Sequence, residues 1–532
     1  MQWKHLGNCC RIKHNAPYKI ELHGGSQCEK RLWMEKFDRE KQKRTEAEIF
    51  RMQEGVRVGE LARKLYPKGV LVKHPAWEQQ QAVEATQKHL SDGVNVLFES
   101  AFTSGDYSVR IDILRKKNSI SVTKIKDTHP SLFDEMPEEW EIVEVKSSLW
   151  GESKNPKDDQ VLDAAYQYFV ATKSGLNITA VFLMLLNPDY VYTGGGYDLN
   201  LLFKETDITD IVKEKTNEIE KNAPRFLEVL ALSKAPPIEI GLQCERPYKC
   251  PFFDYCHLEE LDIDDLLNLP RLTNSLLEKI KIAGFNKISE ISNDFKLSET
   301  QRRVVDVHKS NEPFLTHTFA DELRKLQYPI HFLDFETIQT ALPRFPNTKP
   351  QEIIPFQWSN HIMNEDGSIH HEEFLFTKFD DPRTEFCETL YRSIKNAKTI
   401  VVYSGYEERV LNTLHKWNPE LVEPILSHFK KTQFDMYKLI LEQIYFKEFK
   451  GSFSLKSVLP ALVSDCSYSD LEIQDGDTAW VKYFEMISPD TPPNESQKIK
   501  QNLLEYCKLD TWAMVRLYQK LLEIHENKIT TH

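Results

Sequence analysis

The chain has 532 residues, too many for one hydrophobic core, so two or three domains are expected. Hydrophobic residues make up 40 % and charged residues 28 %, the mixture of an ordinary soluble protein, and no Pro- or Gly-rich tract marks a long disordered linker. The formal net charge of −13 argues against a protein that coats nucleic acid through charge alone.

The N-terminal MQWKHLGNCCRIKH has no apolar signal-peptide core, and the longest apolar run, AVFLMLL at 180–186, is too short to span a bilayer. A cytoplasmic location and no membrane partner are expected. Residues 28–66 carry apolar positions at three- and four-residue spacing in CEKRLWMEKF and TEAEIFRMQEGVRVGELARKLY, which predicts mainly helix. From residue 94 the period shortens. VNVLFESAF, YSVRIDILRK, ISVTKI and WEIVEVKSS read as successive strands, several of them alternating. A helix, DDQVLDAAYQYFVATKSG, and a buried strand, ITAVFLMLL, complete an α/β core. A charged helical stretch at 206–235 leads into CERPYKCPFFDYC. Residues 261–320 read as short helices joined by turns. Within them LTNSLLEKIKIAGFNKISEI has the helix–Gly–helix character of a helix-hairpin-helix-like connector, suited equally to touching a phosphate backbone or to acting as a spacer. A second α/β region starts near 329 with PIHFLDFET, continues through IPFQWSNHI, HHEEFLF and KTIVVYSGY, and closes with the amphipathic helix LLEYCKLDTWAMVRLYQKLLEI. No internal repeat relates the two halves.

In the first region RIDILR puts Asp112 on a strand, and IVEVKSS puts Glu144 and Lys146 two apart on the next major strand, hence on one face. Two carboxylates and an ammonium can converge there. The carboxylates suit Mg²⁺ or Mn²⁺, which would activate a water and neutralise a phosphate. Lys146 would orient or deprotonate that water, or offset charge in the transition state. YQYF places Gln167 and Tyr168 on the following helix, and Glu99 precedes the Asp112 strand in FESAF. This arrangement resembles the PD-(D/E)XK nuclease fold of RecB-type enzymes. Asp112, Glu144 and Lys146 match its motif, Gln167 and Tyr168 match its helix loosely, and Glu99 is an additional candidate ligand. The resemblance also implies an acidic or histidine residue on the upstream helix, for which Glu54 and Glu60 are candidates.

Nine cysteines are unevenly spread. Cys9, Cys10, Cys387, Cys466 and Cys507 have no partner at suggestive spacing and read as free or core thiols. Cys28, in QCEKRLW, stands before the α/β core, whereas Cys244, Cys250 and Cys256 follow it. Four thiolates can hold a [4Fe–4S] cluster or Zn²⁺. A cluster so placed would staple the N-terminal helix to the end of the domain. QC-x-x-R-x-W and the later C…C…C resemble the iron–sulfur nucleases of the CRISPR-associated and helicase-linked RecB-like group, which implies a cluster rather than zinc. Five residues separate Cys250 from Cys256, as in that group. Five also separate Cys244 from Cys250, where the group has two.

In the second region HFLDFET is an apolar strand ending in Asp334 and Glu336. Two acids on one strand face repel unless a cation lies between them, and burying them without one is expensive. YCKLDTWAM puts Tyr506 one turn before Asp510, on one helix face, where the tyrosine can hold an attacking water while the aspartate binds metal. Glu407 lies just beyond a strand in VVYSGYEERVL, and Asp435 lies in TQFDMYKLI. These residues resemble the tyrosine variant of the DEDD exonuclease superfamily, RNase H-like in fold. Asp334 and Glu336 match its first motif, and Asp510 with Tyr506 its third. Ser404-Gly-Tyr-Glu407 stands where the middle motif has Asn-x-x-x-Asp, with Asp435 as an alternative or supporting carboxylate. The resemblance implies two metals about 3.5–4 Å apart, one activating water and one stabilising the leaving 3′ oxygen.

GSFSLKSVLPALVSDCSYSDLEIQDGDTA at 451–479, with LDFET, PFQWSNH, YSGYEERVL and LLEYCKLDTWAM, resembles an uncharacterised bacterial family that joins the two regions over roughly residues 28–525. In GSFSLKS, Ser452, Ser454 and Lys456 are suited to contact a substrate phosphate or to form a packed surface loop. The expected organisation is an N-terminal extension (1–27), an iron–sulfur PD-(D/E)XK-like domain (28–257), a helical connector (258–320) and an RNase H-like exonuclease domain (321–532). The expected function is metal-dependent cleavage of DNA or RNA in repair, processing or defence, with a helicase or another repair or defence protein as partner. Two other classes compete: a non-catalytic nucleic-acid-binding or scaffold protein with decayed sites, and a metal-dependent hydrolase of small nucleotides.

Overall fold

The computed structural model describes residues 22–117, 138–151, 155–257 and 261–530. The strand expected at ISVTKI, the first residues of the N-terminal extension, and Cys9 and Cys10 lie outside them. The chain divides into two compact units, Met1–Leu258 with Thr340–Glu352, and Glu259–Gln339 with Ile353–His532. Among the described residues no helix is long and apolar enough to cross a membrane.

The first unit is built on a six-stranded mixed sheet. Its strands are β1 (Val70–Leu71), β2 (Val96–Ser104), β3 (Tyr107–Lys116), β4 (Glu139–Leu149), β5 (Asn177–Leu186) and β6 (Phe203–Asp207), hydrogen-bonded in that order. β2, β3 and β4 form an antiparallel meander, and β4 then pairs in parallel with β5. Such a parallel pair needs a crossover, and helix Asp158–Lys173 supplies it. Four helices of this unit are labelled α1 (Glu29–Phe37), α2 (Glu46–Arg63), α3 (Asp158–Lys173) and α4 (Thr209–Ala231). α2 begins where Thr45 and Glu48 form a reciprocal capping box, which satisfies two otherwise unpaired amides. The sheet is apolar on both faces. Ile142 and Leu183 pack with Val161, Ala164, Ala165 and Phe169 of α3, whereas Ile113, Val143 and Met184 pack with Val58 and Ala62 of α2. Leu342, from the Thr340–Glu352 segment, is fully buried in this second layer. Beside it Arg344 pairs with the buried Glu54 at 2.6 Å.

The second unit opens with short helices. The expected helix–Gly–helix stretch begins with helix Asn274–Ile282 and turns at Gly284. Its second helix, however, is reduced to a three-residue 3₁₀ turn, Ile288–Glu290. Side-chain bonds compete with helix there: Asp264 takes both the amide and the hydroxyl of Ser289, at 2.9 and 2.5 Å, and Glu290 takes the amide of Asn286 at 2.8 Å. The unit's strands are β7 (Phe314–Leu315), β8 (Ile330–Ile338), β9 (Ile354–Met363), β10 (Ile369–Leu375), β11 (Thr399–Val402), β12 (Gln433–Asp435) and β13 (Ile444–Tyr445). β7 and β13 form a small pair, and the main sheet runs β10-β9-β8-β11-β12. β9 runs antiparallel to both its neighbours, β8 and β10, and β11 and β12 extend β8 in parallel.

Five helices of this unit bear on the site: α5 (Arg383–Ile394), α6 (Tyr406–Trp417), α7 (Leu455–Leu462), α8 (Gly476–Ile487) and α9 (Pro493–Thr530). Alternation along β8 divides its side chains. Leu333 and Phe335 join Phe386 and Leu390 of α5, while Phe332, on the other face, meets Tyr518 of α9 ring to ring at 5.8 Å. That same face receives Asp334 and Glu336. The mixed α/β class expected from sequence therefore holds for the chain.

Gly451 opens the turn before α7 with φ +72°, and a Cβ there would lie 1.8 Å from the carbonyl oxygen of Asn268. Gly105 also has positive φ, but open space surrounds it. Gly451→Ala should therefore cost at least about 2 kcal/mol, from left-handed strain plus a backbone clash, against about 1 kcal/mol for Gly105→Ala. Urea unfolding of the two variants checks this, and equal losses would contradict the close approach.

Candidate functional site

The strongest constellation lies in the second unit. Asp334 and Glu336 reach it from β8, Glu407 from the first turn of α6, and Asp510 from α9. Oxygens of Asp334 and Glu336 and the sulfur of Cys507 lie within 4.8 Å of one another. The Cys507 thiol points at Asp334 Oδ2 from 3.7 Å. Glu336, Glu407 and Asp510 are buried and Asp334 partly so. Ser404 takes φ 121° in the turn between β11 and α6, and its hydroxyl accepts the Tyr406 amide at 3.3 Å. This tight turn delivers Glu407 to the cluster.

Burial and mutual repulsion hold these acids above the usual carboxylate range. Desolvation acts first on all four, and the charges of Asp510, Glu407 and Glu336 add to it at Asp334. Asp510 acts likewise on Glu336. Glu407 is pushed up from 4.5 to about 8 by burial, with Asp435 and Asp510 contributing. Asp510 rises only to about 6, because the Tyr468 hydroxyl donates to it at 2.6 Å and Lys456 and Tyr506 also favour its charged form. Lys456, from α7, is a nearby cation that acts on Glu336 and Asp510. Its ammonium lies 5.5 Å from the ring centres of both Tyr468 and Tyr506 and donates to the Gln474 carbonyl at 2.6 Å. Of the GSFSLKS motif, Lys456 thus stands at the acids, while Ser452 and Ser454 bond each other at the surface. Asp435 caps helix Met436–Gln443 with Oδ1, through the Lys438 amide at 3.0 Å, and its charge bears on Glu407.

The first unit brings a second group together. Asp112 and Glu144 are adjacent in the β3–β4 register, one step beyond the last bridged pair, Ile113–Val143. There the Asp112 carboxylate, rather than a backbone carbonyl, takes the Val145 amide at 3.0 Å. Lys146 lies 2.7 Å from Glu144 and 2.5 Å from Asp163 of α3. Gln167, one turn after Asp163, donates its amide to Glu144. Burial, then the charge of Asp112, raises the Glu144 pKa, and Lys146 opposes the rise.

Other candidates have different surroundings. Tyr168 packs against the core beneath α3. Glu99 falls opposite Asp112 in the β2–β3 register, yet pairs with Arg63 at 3.6 Å. Glu54 is held by Arg344, and Glu60 lines a separate cavity with Arg57 and Lys64. Sequence reasoning missed Asp163, Tyr468 and the siting of Cys507. The Asp163-x-x-x-Gln167 spacing on a predicted helix was the available signal for the first.

Cys28, Cys244, Cys250 and Cys256 line one small cavity. The Gln27 amide, beside Cys28, reaches the carbonyls of Gln243 and Tyr248, each at 2.7 Å. Four thiolates on one cavity can hold a polynuclear cluster or a tetrahedral zinc. Burial pushes the Cys250 thiol up to about 11, with the Phe252 backbone and the Arg31 guanidinium opposing the rise.

A family model described as a domain of unknown function (DUF2779) matches residues 331–454. That span contains Asp334, Glu336, Glu407 and Asp435 and stops short of Lys456 and Asp510. No curated protein matches the chain.

The raised acids fix a direction for stability. A carboxyl whose pKa rises on folding binds more protons folded than unfolded, so its contribution is full below the unfolded pKa and is lost as pH climbs to the folded one. For Glu407 that window runs from 4.5 to about 8, and for Asp510 from 3.8 to about 6. The chelated protein should lose Tm between about pH 5 and about pH 8, and Mn²⁺ should restore more at the upper end. Asp334→Asn/Glu336→Gln should flatten both trends. Equal Tm profiles for the chelated wild type and this variant would mean that the acids do not repel one another as described.

Proposed function

We propose that this protein is a metal-dependent nuclease with two sites, an RNase H-like 3′→5′ exonuclease site of the DEDD tyrosine variant and a PD-(D/E)XK-like site. The observation that carries the reading is the convergence of Asp334, Glu336, Glu407 and Asp510 from three elements on one buried point. Uncompensated, that gathering is costly. Hard oxygen donors suit Mg²⁺ or Mn²⁺. When bound, such cations activate water and neutralise phosphate charge.

The side chains divide the remaining work. Asp334, Glu336, Glu407 and Asp510 hold the cations. Tyr506, one turn before Asp510, orients the attacking water with its hydroxyl, and burial keeps that hydroxyl protonated. Lys456 offsets charge on the reacting phosphate. At the other site Asp112 and Glu144 are the metal ligands, and Gln167 steadies Glu144. Lys146, with Asp163 as its counter-ion, orients water there. Cys28, Cys244, Cys250 and Cys256, which line one cavity, hold a [4Fe–4S] cluster that ties α1 to the end of the domain; zinc is the alternative occupant. Nucleic acid as substrate, and repair, processing or defence as setting, follow from the same reading.

End-labelled single- and double-stranded DNA and RNA, offered to anaerobically purified protein with Mg²⁺ or Mn²⁺, test it. Asp334→Ala/Glu336→Ala should abolish 3′ trimming, and Lys456→Ala should slow trimming about 10²–10³-fold. Glu144→Ala/Lys146→Ala should remove the remaining cleavage alone. Binding without cleavage by wild type under all these conditions would favour a nucleic-acid-binding protein instead, and hydrolysis confined to mononucleotide esters a small-nucleotide hydrolase. Separately, the purified chain should carry about four iron and four sulfide per molecule. Cys250→Ser should lose both and lower Tm; stoichiometric zinc in their place would overturn the cluster.

A further inference from the structure

The first unit contains an open cavity of about 400 Å³ that the catalytic reading leaves unused. Arg63, Lys73, His74 and Arg110 line it, together with Glu99. Three permanent cations thus stand against two carboxylates, Glu99, which pairs with Arg63 at 3.6 Å, and Glu78 on the rim, a local surplus of positive charge in a chain whose net charge is −13. Such a local concentration of positive charge attracts anions where the molecule as a whole repels them. The cavity also has a built wall. Arg110 donates to the carbonyls of His74 and Pro75, at 2.6 and 3.0 Å, and to Gln79 at 3.2 Å, so it fixes the 74–79 rim. His74 pairs in turn with Glu78 at 3.0 Å. On that rim, next to the lining Ala76, Trp77 is 56 % exposed. The cavity adjoins the Asp112 site: Arg110 precedes Asp112 by two residues on β3, and Glu99 lies opposite Asp112 in the sheet register.

From this placement we infer that the cavity is a phosphate-binding subsite that seats the nucleic-acid strand next to Asp112 and Glu144, with Trp77 as the platform for one base. Arg63 and Lys73 take the phosphate oxygens. Arg110 is a positioning residue that holds the rim. A phosphate one or two nucleotides from the scissile bond would neutralise the excess charge, and the neighbouring base would lie across the indole face. The phosphate is either the terminal group of a strand or an internal phosphodiester; both offer the same oxygens.

The inference rests on the nuclease reading but is tested apart from it, by binding rather than cleavage. Fluorescence anisotropy of the full chain with short single strands, in Ca²⁺ to hold off turnover, compares 5′-phosphorylated, 5′-hydroxyl and circular oligonucleotides. Arg63→Gln/Lys73→Gln should weaken binding about tenfold or more and reduce the salt slope by about 1.4, two contacts at about 0.7 each. Trp77→Ala should weaken binding about tenfold without changing that slope. Lys88→Gln/Lys221→Gln, an equal charge loss elsewhere on the unit, should change neither, and unaltered Tm in each variant shows that folding is kept. A loss confined to the 5′-phosphorylated strand assigns the cavity to strand ends; an equal loss on circles assigns it to internal phosphates. If wild type binds strands and the cavity pair binds them with the same affinity and slope, this subsite is wrong and the nuclease reading stands. If the variants lose binding while wild type cleaves nothing, the subsite stands and the nuclease reading falls. Wild type that binds no strand overturns both.

Discussion

Repulsion among buried carboxylates is the constraint around which the second unit is organised. β8 presents Asp334 and Glu336 on one face, and the charge of Asp510 and Glu407 bears on both. The surrounding residues lessen the repulsion without removing it. Tyr468 donates to Asp510, Lys456 stands by with its ammonium over two aromatic rings, and Cys507 lends a weak hydrogen bond to Asp334. Each contact favours the charged form of a carboxyl or places a cation near it. Gathering four buried acids costs stability unless protons or cations offset their charge.

The first unit solves a related problem differently. Its pair of acids is partly answered from within, since Lys146 lies between Glu144 and Asp163. The sheet itself opens to make room. β3 and β4 stop exchanging backbone bonds at Ile113–Val143, and Asp112 takes the next amide with its side chain. A carboxylate anchored by a backbone amide in this way has a fixed orientation, which a metal ligand requires.

What could be read in the sequence was whatever obeyed a short period. Asp334 and Glu336, or Glu144 and Lys146, stand two apart on apolar strands, and Tyr506 and Asp510 stand four apart on a helix, so local geometry alone predicts a shared face. The strands and the long C-terminal helix follow from the same periodicities. Contacts between distant segments were not legible. Asp163 gains its meaning from a lysine 17 positions earlier on another element, Tyr468 from an aspartate 42 positions later, and Glu54 from Arg344 nearly 300 residues away. Cys507 looked like a core thiol because nothing in its immediate neighbours announces the strand it faces. The expected second helix of the connector failed for the complementary reason: a side chain outside the window, Asp264, claimed the hydrogen bonds that helix would have used.

The short segment Thr340–Glu352 interrupts the second unit between β8 and β9, yet folds with the first. The polypeptide therefore passes from one unit to the other three times. A chain with a single crossing can be cut at the boundary, and either half can be recombined with new neighbours. Here any such exchange would strand Leu342 without its apolar surroundings and Glu54 without Arg344. It would also break the hairpin that carries Asp334 and Glu336. Inheritance of the two halves is thereby coupled: recombination that separates them is penalised at the level of folding, before any question of activity arises.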